Sequence, residues 1–297
     1  MRLATPVLRH AVCLAAVTLA AAAGCAPQPD TSAAPGGTAS AATSGAAACT
    51  KGELATRTPG KLVIGTDKPA YAPWFQDDAP ASGKGFEAAV AYAVAAKLGF
   101  DKSEVSWQTV PFNSSFAPGS KNFDFDINQI SISDGRRKAV DFSSGYYDVR
   151  QAVIALKTSK AAGAKSLADL KKVKLGAQVG TTSLDVINDE IKPDQKPAIF
   201  QKNDFAKAAL GNGQVDAIVV DLPTAFYITS AEVTDAKIVG QFAPATGTPE
   251  QFGLVLDKGS RLTSCVSGAV DGLRADGTLA ALEKQWLSEA ADAPVLK

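Results

Sequence analysis

The 297-residue sequence predicts an α/β protein with parallel sheets, long enough to form two lobes. Three observations carry this. Short Val- and Ile-rich runs alternate with helical apolar patterns along the chain. The run "VDAIVVD" (residues 215–221) is apolar nearly throughout, as in a parallel strand covered on both faces. About 250 residues remain once a leader and linker are set aside, which is long for one domain and comfortable for two lobes.

Residues 1–25 read as that leader. Arg2 and Arg9 supply a positive start, and "AVCLAAVTLAAAAGC" an apolar stretch ending in small residues, too short and too Ala-rich for a good membrane span. "AAGC" reads as a lipobox in which Cys25 is diacylated and becomes the mature N-terminus; the alternative is an ordinary secretory signal cleaved nearby. Residues 26–60 follow as a flexible tether. Up to Ala48 they hold no large apolar side chain, so ordering them would cost more entropy than burial returns. Anchor and tether together place the folded body outside the cytoplasm, at the outer face of the cell membrane.

From residue 61, "KLVIGTD" is a short strand. A loop with Pro73, Pro80, Gly83 and Gly85 precedes a helix whose Phe86, Val90, Val94 and Leu98 share one face, closed by Gly99. "EVSWQTV" and "FDFDINQISI" (123–132) alternate as strands. Ser166 and Asp169 open a helix in capping-box fashion. "VKLGAQVG" is a strand that runs into "GTTS" (180–183) and a helix over 184–191. "AIF" is a short strand, and "NDFAKAALGNG" a helix with Gly at its end. After the strand at 215–221, Pro223 suits the first turn of a helix. The strands "AKIVGQF" and "FGLVLD" come next. Two helices finish the chain, one with Leu262, Val266 and Val270 on one face, the other with Leu279, Leu282 and Trp286.

Composition excludes several functions. Lysine plus arginine number 30 against 30 aspartate plus glutamate, and 28 basic residues remain without Arg2 and Arg9. With near-neutral charge and no basic stripe, nucleic acid is not an expected partner. His10 is the only histidine and lies in the leader, which removes Ser-His-Asp and Cys-His catalysis and every His-based metal site from the mature chain. No acid cluster is spaced like a calcium loop, so no metal or cofactor is expected. "GKGFEA" (83–88) fits G-x-G-x-x-A, but a Pro-rich loop precedes it rather than a strand, and it is not read as a dinucleotide site. With Cys13 in the leader and Cys25 lipidated, Cys49 and Cys265 remain. An oxidising compartment favours one disulfide between them, pinning the start of the fold to a C-terminal helix; two unrelated buried thiols are the alternative.

Three places can hold a ligand carrying both charges. Arg136 follows a strand end with Ser131 and Ser133, and its guanidinium fits a carboxylate through two parallel hydrogen bonds. The free N–H groups around Thr182 in "GTTS", between a strand and a helix, suit an anion. Asp221 ends an apolar strand, where α/β sheets bind ligands. Singly, each has a structural reading as well: Arg136, for example, adjoins Arg137 and Lys138 in a solvated charge run.

In this order the chain resembles the family 3 extracellular solute-binding proteins, the amino-acid-binding components of ABC importers. The matching stretches are "LVIGTDKPAYAPW", "GF" at 85–86, "ISISDGRRKAVDFSSGYY", "LGAQVGTTS", "GQVDAIVVDLPTAFY", "FGLVLDKGS" and "DGTLAALEKQW". The resemblance implies the type II periplasmic-binding-protein fold: two α/β lobes with mixed, mainly parallel sheets and flanking helices, joined by two hinge strands and closing over a ligand. Residues 61–152 and 247–297 would form lobe 1, and 153–246 lobe 2. Arg136 would bind the ligand α-carboxylate with help from Ser131 and Thr182, and Asp221 the α-ammonium. Tyr71 and Phe112 would wall the ligand side chain; Asp67 matches a position near it in members that prefer basic amino acids. The protein would act as a monomer that hands an amino acid or related zwitterion to a membrane permease and its ATPase. Three departures bear on side-chain specificity: Glu87 replaces an Asp, Gln129 sits where a small residue is common, and "DGR" replaces Pro-Glu before the Arg. Two other functions share the fold: a dehydratase of cyclic carboxylic acids with Glu87 or Asp221 as general acid, and a ligand sensor signalling to a membrane protein.

Overall fold

The computed structural model describes residues 49–243, 249–287 and 293–296. The leader, the lipidation assigned to Cys25 and the tether as far as residue 48 lie outside the described residues.

The chain builds one lobe, crosses to a second and returns. The first lobe contains β1 Leu62–Thr66, α1 Phe86–Lys97, β2 Val105–Thr109, α2 Phe112–Ser115, β3 Phe125–Asp126, α3 Asp134–Arg137 and β4 Val140–Val149. The second contains β5 Gln151–Leu156, α4 Leu167–Leu170, β6 Leu175–Gln178, α5 Thr182–Val186, β7 Ala198–Phe200, α6 Asn203–Gly211, β8 Ala217–Asp221, α7 Leu222–Tyr227 and β9 Ala236–Gln241. β10 Glu250–Asp257, α8 Thr263–Ala275 and α9 Thr278–Leu287 then complete the first lobe.

Each lobe has a five-stranded mixed sheet, in the order β2-β1-β3-β10-β4 and β7-β6-β8-β5-β9. The sheets are less parallel than the sequence reading expects: each has two parallel and two antiparallel pairings. One strand per sheet explains this. β10, returning from the second lobe, runs antiparallel to both neighbours, and β5, entering that lobe, does the same. The outward crossing falls at Arg150, between β4 and β5, so Gln151 and Ala152 pair with β8 and belong to the second sheet, not the first.

Two ends of the body also depart from the expected division. Residues 49–60, placed with the tether above, are fastened to the first lobe. Cys49 is disulfide-bonded to Cys265 of α8, Lys51 pairs with Glu104 at 2.5 Å, and the Arg57 N–H donates to Asp124 at 2.7 Å. Residues 293–296, expected in lobe 1, pack on the second. Val295 bridges Gln241, the Leu296 N–H donates to the Gln241 carbonyl, and Leu296 joins that lobe's apolar cluster.

The apolar periodicity of α1 is realised as burial. Phe86, Val90 and Val94 are 0% exposed and Leu98 2%, packed with β1, β10 and α8. Each such side chain contributes about 1.5–3 kcal/mol when fully buried. The alternating run 123–132 does not make one long strand. Only β3 pairs, because Gln129 turns left-handed at φ 50° and breaks the ladder; Ser131 then bridges Phe252 alone. β4 is the longest strand in the protein's described residues, yet its "SSG" centre hides it from periodicity.

Candidate functional site

The first lobe delivers a guanidinium. Ser133 caps α3, accepting from the Arg136 N–H at 3.3 Å, and this short turn carries Arg136 to the lobe's edge. Arg136 Nη1 donates to the Ser131 carbonyl at 2.7 Å, while Nη2 reaches across to the Gly180 carbonyl of the second lobe at 2.8 Å. The Phe116 ring lies 4.4 Å from Cζ and the Phe112 ring 5.7 Å, positioning the cation against aromatic faces. Burial lowers its pKa, and Glu250, Asp185 and Asp221 oppose that shift. Arg137 is exposed, as a surface charge should be.

The second lobe delivers a carboxylate and hydroxyls. Gly180, at φ 75°, turns the chain after β6, and Thr181 caps α5 by accepting from the Leu184 N–H at 3.2 Å. Thr182 thereby comes within 3.3 Å of Ser131 Oγ of the first lobe. Asp221 ends β8, and burial, aided by Glu250, pushes its pKa up to about 8, against a hydrogen bond from Gln151.

Gln151, which the sequence reading does not single out, organises this end. It is 3% exposed; its Nε2 donates to Asp221 at 2.7 Å and to Thr182 and Glu250 at 3.3 Å, and its Oε1 accepts from Ser183 at 2.6 Å. The first residue of the second sheet thus ties Asp221 to Glu250 at the start of the returning strand. Nothing local marks it, since its partners lie 31 to 99 residues away.

One pocket between the lobes is lined by all seven residues named from sequence: Asp67, Tyr71, Phe112, Ser131, Arg136, Thr182 and Asp221. Asp67 accepts from the N–H groups of Lys68 at 2.6 Å and Phe112 at 3.2 Å, so it also sets the aromatic wall, and it has no ion-pair partner among the described residues. Burial and the Asp204 carboxylate push the Tyr71 phenol up. Gln129, noted in the sequence as a departure bearing on specificity, also lines the pocket; Asn128, Gln178, Thr181, Ser183 and Asn203 complete the lining and are additions to the sequence reading. Asn128 is 6% exposed, and its Nδ2 has no protein partner among the described residues. The clue to Asn128 was its place in the polar-apolar alternation that starts at Phe123. Of the two general acids considered for a dehydratase, Asp221 lines the pocket and Glu87 does not; Glu87 is 0% exposed and bonded to Tyr146 and Gln129.

Further contacts close the lobes on each other. Trp74 Nε1 donates to Thr224 Oγ1 at 2.9 Å, and Lys202 Nζ to the Lys68 carbonyl at 2.5 Å. A Cβ on Gly180 would clash with Asn113 Oδ1.

Comparison with known proteins agrees with this architecture. The L-cystine-binding protein TcyJ of Escherichia coli K12 is 29% identical over 238 residues, covering 76% of this chain and 82% of its own. A solved ancestral arginine-binding protein bound to arginine superposes with a TM-score of 0.63 at 30% identity, covering 76% of this chain and 98% of that one. An ancestral amino-acid-binding protein, a precursor of cyclohexadienyl dehydratase, superposes with a TM-score of 0.63, also at 30% identity, over 77% and 95%. Residues 62–289 match the bacterial extracellular solute-binding proteins, family 3, and the chain belongs to that family.

Proposed function

We propose that this protein captures an amino acid, or a related zwitterion, between its lobes and delivers it to the permease and ATPase of an ABC importer. One observation carries the reading: Arg136 of the first lobe and Asp221 of the second line one pocket, so a single ligand bearing a carboxylate and an ammonium engages both and holds the lobes together. The Arg136 fork suits a carboxylate, supplemented by the Ser131 and Thr182 hydroxyls, and Asp221 suits the ammonium. The related cystine- and arginine-binding proteins support this class of ligand.

The side-chain end leans toward a cation or a donor. Asp67 adds a second carboxylate without an ion-pair partner among the described residues, so a ligand with a positive side chain balances the pocket's charge. Tyr71 and Phe112 fit the apolar stem of such a side chain. A micromolar complex needs about −8 kcal/mol, within reach of two charge-assisted contacts strengthened as closure removes water.

A dehydratase reading loses Glu87 as its general acid, because Glu87 is sealed behind the pocket; Asp221, its other candidate acid, lines the pocket, so the test includes cyclic acids. The test is a thermal-shift screen against the amino acids and cyclic carboxylic acids. Ligand at a hundred times its Kd stabilises the native state by about 2.7 kcal/mol. A selective shift with an amino acid that is recovered unchanged supports the proposal. A product formed from a cyclic acid, with no response to amino acids, sinks it.

A further inference from the structure

Two of the sequence departures noted above are joined in the structure. Glu87 and Gln129, 42 residues apart, form one hydrogen-bonded unit behind the pocket. Glu87 Oε1 accepts from the Gln129 N–H at 2.7 Å and from the Tyr146 hydroxyl, and Glu87 Oε2 accepts from Gln129 Nε2. Glu87 is 0% and Tyr146 2% exposed, so the unit is sealed from solvent on the far side. Gln129 itself lines the pocket and has a φ of 50°, a conformation that a residue with a Cβ adopts only when its surroundings impose it.

This arrangement fixes which end of the Gln129 amide faces which way. An ionised carboxylate offers only acceptors, and both oxygens of Glu87 receive donors. While Glu87 is ionised, Gln129 must turn its NH2 to it, which leaves its oxygen as the group it can offer a ligand. We infer that Glu87 is a positioning residue that sets the polarity of the ligand pocket, holding Gln129 as a hydrogen-bond acceptor and so selecting side chains that donate. The inference rests on the ligand-capture reading above and deepens it. Burial pushes Glu87 up to about 7 against its three donors, so the ionised form, and the Gln129 orientation that it imposes, prevails above that pH.

The geometry defines an isosteric test. In Glu87→Gln, the retained oxygen still serves the Gln129 N–H and Tyr146, but an NH2 replaces the oxygen that met Gln129 Nε2. The resulting donor–donor clash is relieved by turning the Gln129 amide over, which puts a donor in the pocket. The full chain, 15N-labelled and free of ligand, reports this directly. The Gln129 NH2 signals, identified by their loss in Gln129→Met, should exchange slowly with solvent in the wild type and at least about tenfold faster in Glu87→Gln. Titration calorimetry with L-glutamine and L-glutamate, a near-isosteric donor and acceptor pair, reports the consequence. The affinity ratio should move about tenfold toward glutamate in Glu87→Gln and fall toward unity in Gln129→Met, which leaves Glu87 untouched. Equal NH2 exchange in the two proteins, or a ratio unchanged in both variants, overturns the inference. If the wild type binds neither probe nor any other amino acid, the ligand-capture reading fails instead, and the exchange measurement still decides the role of Glu87.

Discussion

Arg136 of the first lobe donates to the Gly180 carbonyl of the second at 2.8 Å, and it is the same guanidinium that faces Asp221 across the pocket. In the proposed clamp, lobe closure and ligand recognition share this one side chain. A ligand favours the closed form only by binding it better than the open one, and a residue that touches both lobes is where that difference arises.

Arg136→Ala is expected to weaken binding of the cognate amino acid at least about a hundredfold, because it leaves a buried ligand carboxylate unpaired. Arg137→Ala, one residue on and exposed, is expected to stay within about twofold. Titration calorimetry on both variants checks this. Equal losses would mean that the charge run acts as a whole and that Arg136 has no special place.

Binding should also carry a pH signature. Asp221 sits at about 8 in the ligand-free protein, and an ammonium beside it favours the ionised form. Below that value a proton has to leave on binding, so affinity should rise up to about tenfold per pH unit between pH 6 and 8. The slope should vanish in Asp221→Asn. Calorimetry in buffers of different ionisation enthalpy counts the proton. Stability of the ligand-free protein runs the other way. Asp221 and Glu87, raised from 3.8 to about 8 and from 4.5 to about 7, contribute stability that is present in acid and lost as pH rises through those values.

The Cys49–Cys265 bond closes a loop spanning 216 positions. Its reduction, or Cys49→Ser, is expected to cost about 2–5 kcal/mol of stability. Neither cysteine lines the ligand pocket, so ligand affinity at a temperature where the fold persists should be unchanged. Chemical denaturation alongside calorimetry separates the two effects.

The buried Trp74–Thr224 bond links the lobes away from the ligand. Trp74→Phe removes the donor and leaves the Thr224 hydroxyl without its partner, which should shift the equilibrium toward the open form by about 1 kcal/mol. Affinity should then fall severalfold, and small-angle scattering of the ligand-free protein should show a larger radius of gyration. An unchanged radius would mean that closure does not depend on this contact.

Much of the frame was legible because local rules decide it. The i, i+4 spacing of Phe86, Val90, Val94 and Leu98 predicted α1, and the apolar run at 215–221 predicted β8. The seven residues named from sequence drew attention through their order and through the resemblance, and all seven line one pocket. Gln151, Glu250 and the Glu87–Tyr146–Gln129 unit were not. Their roles consist of hydrogen bonds made 31 to 99 residues away, which no local pattern encodes. The break at Gln129 and the final strand-like contact at Val295 escaped for the same reason: tertiary contacts, not propensity, hold them.

The most direct test of the zwitterion clamp is a crystal structure of the protein with the amino acid that gives the largest thermal shift. The expected result places the ligand carboxylate about 3 Å from Arg136 and its ammonium about 3 Å from Asp221, with the lobes closed. A ligand whose carboxylate avoids Arg136, or one bound by a single lobe, would contradict it.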